Sequence, residues 1–538
     1  MLSGIITIME TVNITINHRP VQVDSHATVL DACRQAGVHV PVLCHAQGLE
    51  PYESCMICVV EDAASGKIIP SCAAKVREGM SIRTDSDPIR EVRKSAVEML
   101  LSEHVGDCEA PCTRACPLES DIPGMIRALM KGDTAAAVRA LRKENPLAGT
   151  ISLVCNGPCE NGCRRGRYDR PLLIRVLITA AVESTGSDIA EPVTGENESA
   201  KKQIAVVGAG ISGLTAAWII LRSGYGCTVI DSRSEPGGSL LDHSDKAPML
   251  RKIRDLENRL LWKMGMRFQM NTRVGRDVSL DTLRHEYDAL LLAVGRNCKG
   301  IADDENIPYT EKGISISEKT RMTDAEGVFA AGAAVGPIKM AARASQDGKV
   351  GAEACIAYLE KRKWQKPYRR FDSRIGKLDH GEMDEFLKTC GVSGKKDAEN
   401  NGGKNSKPEV ERCFCCDCTA KNECKLRDLA DSVRADRKAY KPEQRSRVER
   451  IADDAVIYEP GKCIRCGICV RKSRDVNGQP GLAFSGRGYE TRIVAPAGFT
   501  MGSAIRQNAV ECIRACPTGA LYLRNRVKSV VEDSKTVV

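Results

Sequence analysis

Cysteine carries most of the chemistry this chain could do. Of its 25 cysteines, ten lie between Cys44 and Cys163 and ten between Cys413 and Cys516, with Cys33, Cys227, Cys298, Cys355 and Cys390 scattered singly. Cys44, Cys55, Cys58 and Cys72 form a close pair with two distant members, a thiolate set suited to a 2Fe–2S centre. A zinc site is the alternative there. Cys108, Cys112 and Cys116, then Cys155, Cys159 and Cys163, form two runs that can hold two 4Fe–4S cubanes between them. Cys413, Cys415, Cys416, Cys418 and Cys424 leave one sulfur spare in a four-thiolate site, for which zinc is again an alternative. The run Cys463, Cys466, Cys469 with a remote Cys516-Pro517 is the bacterial ferredoxin pattern for one 4Fe–4S cluster.

A second kind of chemistry is written between these two arms. Ile204–Val207 reads as a buried strand that turns through Gly208, Gly210 and Gly213 into a helix, and a second strand ends on Asp231. This is a dinucleotide fingerprint in its proper setting. Gly208 makes the tight turn, Gly210 admits a pyrophosphate to the backbone, and Gly213 lets helix and strand close up. The helix start turns its N–H groups toward phosphate, and Asp231 can accept from a ribose hydroxyl. Gly237 and Gly238 add a second glycine turn beside the cofactor.

These residues need elements to position them. Val12–Ile16 alternates as a half-buried strand, Pro20–Val23 begins its hairpin partner, and Thr28–Ala36 reads as a helix stopped at Gly37. Ile126, Leu129 and Met130, then Ala137, Val138 and Leu141, fall at helical spacing on either side of Gly132-Asp133, and simple core packing accounts for them. Segments 185–200 and 361–410 read as linkers by composition.

The strand–strand–helix lead-in to Cys44–Cys72 resembles the N-terminal ferredoxin-like domain of the large, G-type subunit of respiratory NADH dehydrogenase and its hydrogenase and formate dehydrogenase relatives. Glu53 stands where that family has a loop glycine. The text CP, IP, NPL and CxxxCxxxC across residues 116–163 resembles the small subunit of NADPH-dependent glutamate synthase and dihydropyrimidine dehydrogenase, which place two 4Fe–4S clusters there. Eight ligands are needed and six cysteines are present. His104, near the family's first cysteine, is nominated as a further ligand.

Residues 201–360 resemble the FAD-binding half of the same subunit, with Gly332 in the cofactor-contacting Gly-Asp pair, although the aspartate is Ala333 here. In that family an NADPH domain follows the strand before Gly295. Only 31 residues separate Gly295 from Gly327, so that domain is read as lost and FAD as retained. The CxxCDCxxxxxCKLR text resembles cluster-binding tails of related flavoproteins, which implies Cys413, Cys416, Cys418 and Cys424 as ligands and Cys415 as a bystander. A set of 415, 418 and 424 with an outside fourth ligand is the alternative. In two-cluster relatives of the C-terminal module, cysteines stand where this chain has Ser473, Arg506 and Ala509, so one cluster is expected and Cys512 is an ordinary thiol.

The expected architecture is multidomain α/β and α+β. It runs as a β-grasp ferredoxin domain (1–95), a helical double-cluster domain (96–184), a Rossmann-like FAD domain (201–360), a cysteine-rich segment (411–450) and a C-terminal ferredoxin-like cluster domain (451–538). Met1–Thr11 has no basic leader and no apolar run is long enough to span a membrane, so a cytoplasmic metalloprotein is expected rather than a disulfide scaffold. The net charge of +9 is modest and no basic stripe interleaves with aromatics, which argues against nucleic acid. No catalytic side-chain set is evident, so one 2Fe–2S cluster, three to four 4Fe–4S clusters and FAD would do the chemistry. The reading is an electron-transferring subunit whose partners are an NADH-binding flavoprotein, a hydrogenase- or formate dehydrogenase-type subunit, or ferredoxin. A self-contained NAD(P)H-dependent reductase and a non-redox metal scaffold are the alternatives.

Overall fold

A computed structural model describes residues 10–187, 202–242, 247–390, 407–441, 447–453, 455–474, 480–505 and 508–524. Residues 188–200 and 391–406 of the two expected linkers, and Arg506, lie outside the described residues. The chain divides into two compact units. One comprises Met1–Glu109, Arg369–Ser393 and Cys415–Val538, and the other Ala110–Tyr368 and Gly394–Phe414. The second is thus inserted, in sequence, into the first.

In the first unit, Thr11–Ile16 pairs antiparallel with Arg19–Asp24 and parallel with Ser81–Arg83. Val59–Asp62 and Lys67–Pro70 complete a five-stranded mixed sheet. Asn17 and His18, at φ 47° and 67°, make the two-residue hairpin turn whose twist matches the strands. The helix Val29–Gln35 starts in a capping box, with Thr28 Oγ1 accepting from Asp31 N and the Asp31 carboxylate accepting from Thr28 N. Ile14, Ile16, Leu30, Val60 and Ile82 close the core around Cys58 and Cys72. Towards the C-terminus, Val456–Tyr458 pairs with Ile451–Ala452 and Leu521–Leu523, and the helices Ile468–Lys472 and Ala509–Ala515 pack beside this small sheet.

Residues 361–410 are not linker throughout, contrary to the compositional reading. His380–Cys390 is a helix with Met383 and Phe386 buried, and Asp379 and Glu382 form a reciprocal cap at its start. The polar composition hid two anchors: Phe386 lies under the Arg450 guanidinium at 4.0 Å, and Val448 N donates to Glu382.

The second unit joins a helical layer to a parallel sheet. Ile122–Met130 and Thr134–Arg142 are capped by Asp121 and Asp133, and Ala148–Val154 and Ile174–Thr185 pack against them. Five parallel strands follow in the order Val328–Ala330, Ala289–Leu292, Gln203–Val207, Gly226–Ile230, Arg267–Gln269. The segment between Gly295 and Gly327 holds the helix Cys298–Asp304 and a hairpin of Tyr309–Thr310 with Gly313–Ile314, and no second parallel sheet.

Candidate cluster and flavin sites

Cys44, Cys55, Cys58 and Cys72 are all buried and gathered together. In each of the pairs 44/55 and 58/72 one sulfur accepts from the other. The Cys55 thiol holds Cys44 down at about 5, and the Cys72 thiol holds Cys58 at about 7, against burial that opposes both. Cys44 also raises Cys58 and Cys72 electrostatically, so the pairs sense one another. Thiolate is the metal-binding form. The loop that carries them turns through Glu53 and Met56 at φ 55° and 52°, so the left-handed geometry is kept without glycine.

Cys463, Cys466, Cys469 and Cys516 line an apolar pocket together with Tyr458, Leu482 and Ile493. Arg465 N points at Cys463 Sγ, 3.4 Å away. Ser473, in the place of a further cysteine, is buried and occupied: its Oγ accepts from Leu482 N at 2.8 Å and donates to Val470 O. Cys512 Sγ donates to Cys469 O at 3.8 Å. Among the described residues, no three His, Cys, Asp or Glu converge tightly enough to hold a single metal ion.

The remaining ligand candidates are grouped differently from their order in sequence. His104 and Cys108 belong to the first unit, with Cys418 and Cys424. Cys418 N donates to Cys108 O at 3.1 Å, and burial pushes both thiols up, with Cys418 adding to the shift of Cys108. Cys424 is raised to about 11 by burial, with Cys418 and Cys516 adding to it. The Cys424 thiol donates to Pro517 O at 3.7 Å. His104 is half-buried; desolvation, together with Lys462, lowers it to about 4, so it is neutral, and its buried Nδ1 has no hydrogen-bond partner. A neutral imidazole with an unsatisfied buried nitrogen suits ligation. Lys462 and Glu459 act on His104 and Cys418 alike, so both lie within electrostatic reach of that ion pair.

Cys112, Cys116, Cys155, Cys159, Cys163 and Cys413 belong to the second unit. Burial and then Cys116 raise both Cys155 and Cys159, the latter to about 12, so these three sulfurs are neighbours. Cys112, Cys163 and Cys413 pack on the same apolar cluster as Cys159. The unit boundaries fall between Cys108 and Cys112 and between Cys413 and Cys415, so the expected sets draw residues from both units. Local spacing could not show this, because the grouping is made by a chain that leaves the first unit after Glu109 and returns to it. Cys415, at φ 46°, is buried, and Cys416 is half-buried.

Two of the fingerprint glycines, Gly208 and Gly213, are required by geometry. Gly208 has φ +111°, and a Cβ there would lie 2.4 Å from Ala293 O; one on Gly213 would lie 1.8 Å from Gly208 O. Gly210 faces open space, its nearest neighbour being Gly238 Cα at 4.0 Å from a built Cβ. Gly237 N donates to Ala209 O, which draws the second glycine turn against the first. The helix Ile211–Arg222 has no side chain capping its first turn, and Asp231 accepts from Ala209 N and Arg233 N at 2.6 and 2.8 Å. This cradle fits a dinucleotide. Gly332, at φ +73°, sits against Ser212, and its N–H is taken at 2.6 Å by Asp347, which is also paired with Arg321. A carboxylate thus stands beside Gly332 although residue 333 is alanine. Only a resemblance two residues wide pointed there, and Asp347 escaped it.

Known families match four stretches of the chain. Residues 9–87 match a 2Fe-2S iron-sulfur cluster binding domain, and residues 94–187 match dihydropyrimidine dehydrogenase domain II, 4Fe-4S cluster. Residues 181–348 match the pyridine nucleotide-disulphide oxidoreductase family, and residues 454–522 the ferredoxin-like domain of NADH-quinone oxidoreductase subunit 3. Together these define an iron–sulfur oxidoreductase chain with a flavoprotein-type domain at its centre. Among curated proteins it is similar to the NADP(+)-dependent formate dehydrogenase subunit beta of Moorella thermoacetica, 32% identical over 36% of this chain and 31% of that one. It is also similar to the NAD-dependent dihydropyrimidine dehydrogenase subunit PreT of Salmonella typhimurium, at 29% over 40% and 53%. The NADPH-Fe(3+) oxidoreductase subunit beta of Geobacter sulfurreducens matches at 33% over 35% and 28%. The chain therefore spans between about a third and a half of the curated relatives it matches. Among the described residues no helix is long and apolar enough to cross a membrane.

Proposed function

We propose that this chain is the electron-transferring iron–sulfur flavoprotein subunit of a multisubunit cytoplasmic oxidoreductase. The N-terminal sheet is read as a β-grasp ferredoxin domain holding a 2Fe–2S centre on Cys44, Cys55, Cys58 and Cys72. Cys463, Cys466, Cys469 and Cys516 hold one 4Fe–4S cluster, and His104, Cys108, Cys418 and Cys424 hold another. In the second unit Cys116, Cys155 and Cys159 serve one cluster and Cys112, Cys163 and Cys413 a second, while Cys416 keeps its nomination as a ligand. Gly208, Gly210, Gly213, Asp231, Gly237, Gly238 and Gly332 would hold FAD. When bound, these groups supply one-electron steps at the clusters and one- or two-electron exchange at the flavin.

One observation carries the reading. In the first unit the three ligand sets abut in a row, with Arg471 touching Cys44 O and Cys466 O, and Cys424 touching Pro517 beside Cys516. Such a row is of use to a conductor and of none to a scaffold. Partners supply the pyridine-nucleotide and terminal-substrate sites. They are an NADH-binding flavoprotein and a formate dehydrogenase- or hydrogenase-type subunit, or ferredoxin. Anaerobic purification followed by iron, acid-labile sulfide and flavin analysis tests this, with roughly 14–18 irons per chain expected. Iron at a few atoms per chain, or zinc in its place, would refute it. NADPH should leave the flavin of the isolated chain oxidised; bleaching would favour the self-contained reductase.

A further inference from the structure

Arg471 stands on the helix Ile468–Lys472, two residues past Cys469, in a position that spacing alone marks as an ordinary helix surface. Its guanidinium is spent entirely on backbone carbonyls of two cysteine loops. Nη2 donates to Cys44 O at 2.7 Å and to Cys466 O at 3.3 Å; Nε donates to Gly467 O at 3.3 Å, and Nη1 to Glu50 O. The planar face lies over the Tyr52 ring at 5.1 Å, and Tyr52 in turn stacks on Phe484 with ring centroids 6.4 Å apart. One fork therefore ties the 44–58 loop to the 463–469 loop, and Tyr52 of the first loop, stacked on Phe484 of the strand Ala483–Ser485, covers it. Carbonyls in a loop of left-handed residues such as Glu53, Met56 and Arg465 have few alternative donors, and a rigid five-donor fork meets several at once where an ammonium could not.

We infer that Arg471 is the positioning residue for electron transfer between the 2Fe–2S site and the Cys463–Cys516 site: it fixes the separation of the two cysteine loops. The inference rests on the cluster occupancy proposed above. An electron given up on one side is taken up on the other; no bond forms or breaks and no proton moves. The fork's part is geometric, and its charge alone does not perform it.

The test is electron paramagnetic resonance of the whole chain, prepared anaerobically and reduced in steps. Wild-type protein should show both cluster signals, with mutual broadening or splitting once both are reduced. Arg471→Gln and Arg471→Lys should keep both signals yet lose that interaction and equilibrate electrons between the two sites more slowly. Should Arg471→Gln fail to assemble, Tyr52→Leu removes only the ring over the guanidinium and is expected to weaken the same interaction. An interaction unchanged in these variants, or fully restored by lysine, overturns the clamp. Wild-type chain lacking either signal would instead overturn the cluster reading itself.

Discussion

At Glu53 a charged residue holds a left-handed conformation, φ 55°, in the loop between Cys44 and Cys55. A β-carbon there costs about 1–2 kcal/mol that glycine avoids. Glu53→Gly should therefore strengthen the loop by about 1 kcal/mol, read as a higher denaturant midpoint and slower loss of the 2Fe–2S absorbance to a chelator. Lys462 poses the opposite case. It is buried, and its ammonium lies 2.8 Å from Glu459, which burial would raise but which Lys462 and Arg450 hold at about 2. Lys462→Met leaves that carboxylate short of a partner and should cost about 3–5 kcal/mol in equilibrium unfolding. Glu53 was legible as the occupant of a loop-glycine position, whereas Lys462 reads only as the residue before a ferredoxin motif. Candidate ligands were legible, because cluster binding constrains local spacing. Their partition was not. Cys108 and Cys418 share a hydrogen bond across the inserted unit, and a contact of that kind leaves no periodic trace.

Among the elements, the short return segment around Lys407–Val410 shows how charge places a ligand. Glu409 takes Arg170 and Arg412, each at 2.9 Å, together with Leu173 N, and Arg412 reaches on to Asp169, itself held by the buried Arg165. Arg165 also lies 4.8 Å above the Phe414 ring. This network brackets Cys413. Burial would raise both carboxyls, but the arginines hold Asp169 below its ordinary 3.8 and Glu409 below 4.5. Depressed folded values mean that the stabilisation is complete above about pH 4.5 and is lost as pH falls through the folded values. The melting temperature of the wild-type chain should therefore drop with acid in that window. Glu409→Gln should start about 2 kcal/mol lower at neutral pH and show a flatter acid limb. Periodicity and turn residues predicted the fingerprint strand and helix and the 122–142 helix pair well, and composition alone was the weaker guide. It failed at His380–Cys390, where burial of Phe386 and Met383 outweighs a polar sequence.

For the molecule as a whole, the inserted unit keeps the glycine cradle of a flavin domain while the segment between Gly295 and Gly327 forms only a helix and a small hairpin. Its flavin would then exchange electrons with clusters, and the contents of the two units should be separable by mutation. Gly210 is the place to cut. A methyl group there meets nothing nearer than Gly238 Cα at 4.0 Å, so the fold tolerates it, yet it fills the path by which a pyrophosphate reaches the backbone. Gly208 offers no such test, because its substitution drives a carbon to 2.4 Å from Ala293 O and damages the sheet edge itself. Gly210→Ala should weaken flavin binding at least tenfold, about 1.4 kcal/mol, while iron and acid-labile sulfide stay at wild-type levels and the far-ultraviolet spectrum is unchanged. Flavin retained at full stoichiometry would place it away from this cradle. Iron lost along with flavin would show that the cluster sites depend on the dinucleotide, and that the units do not load independently.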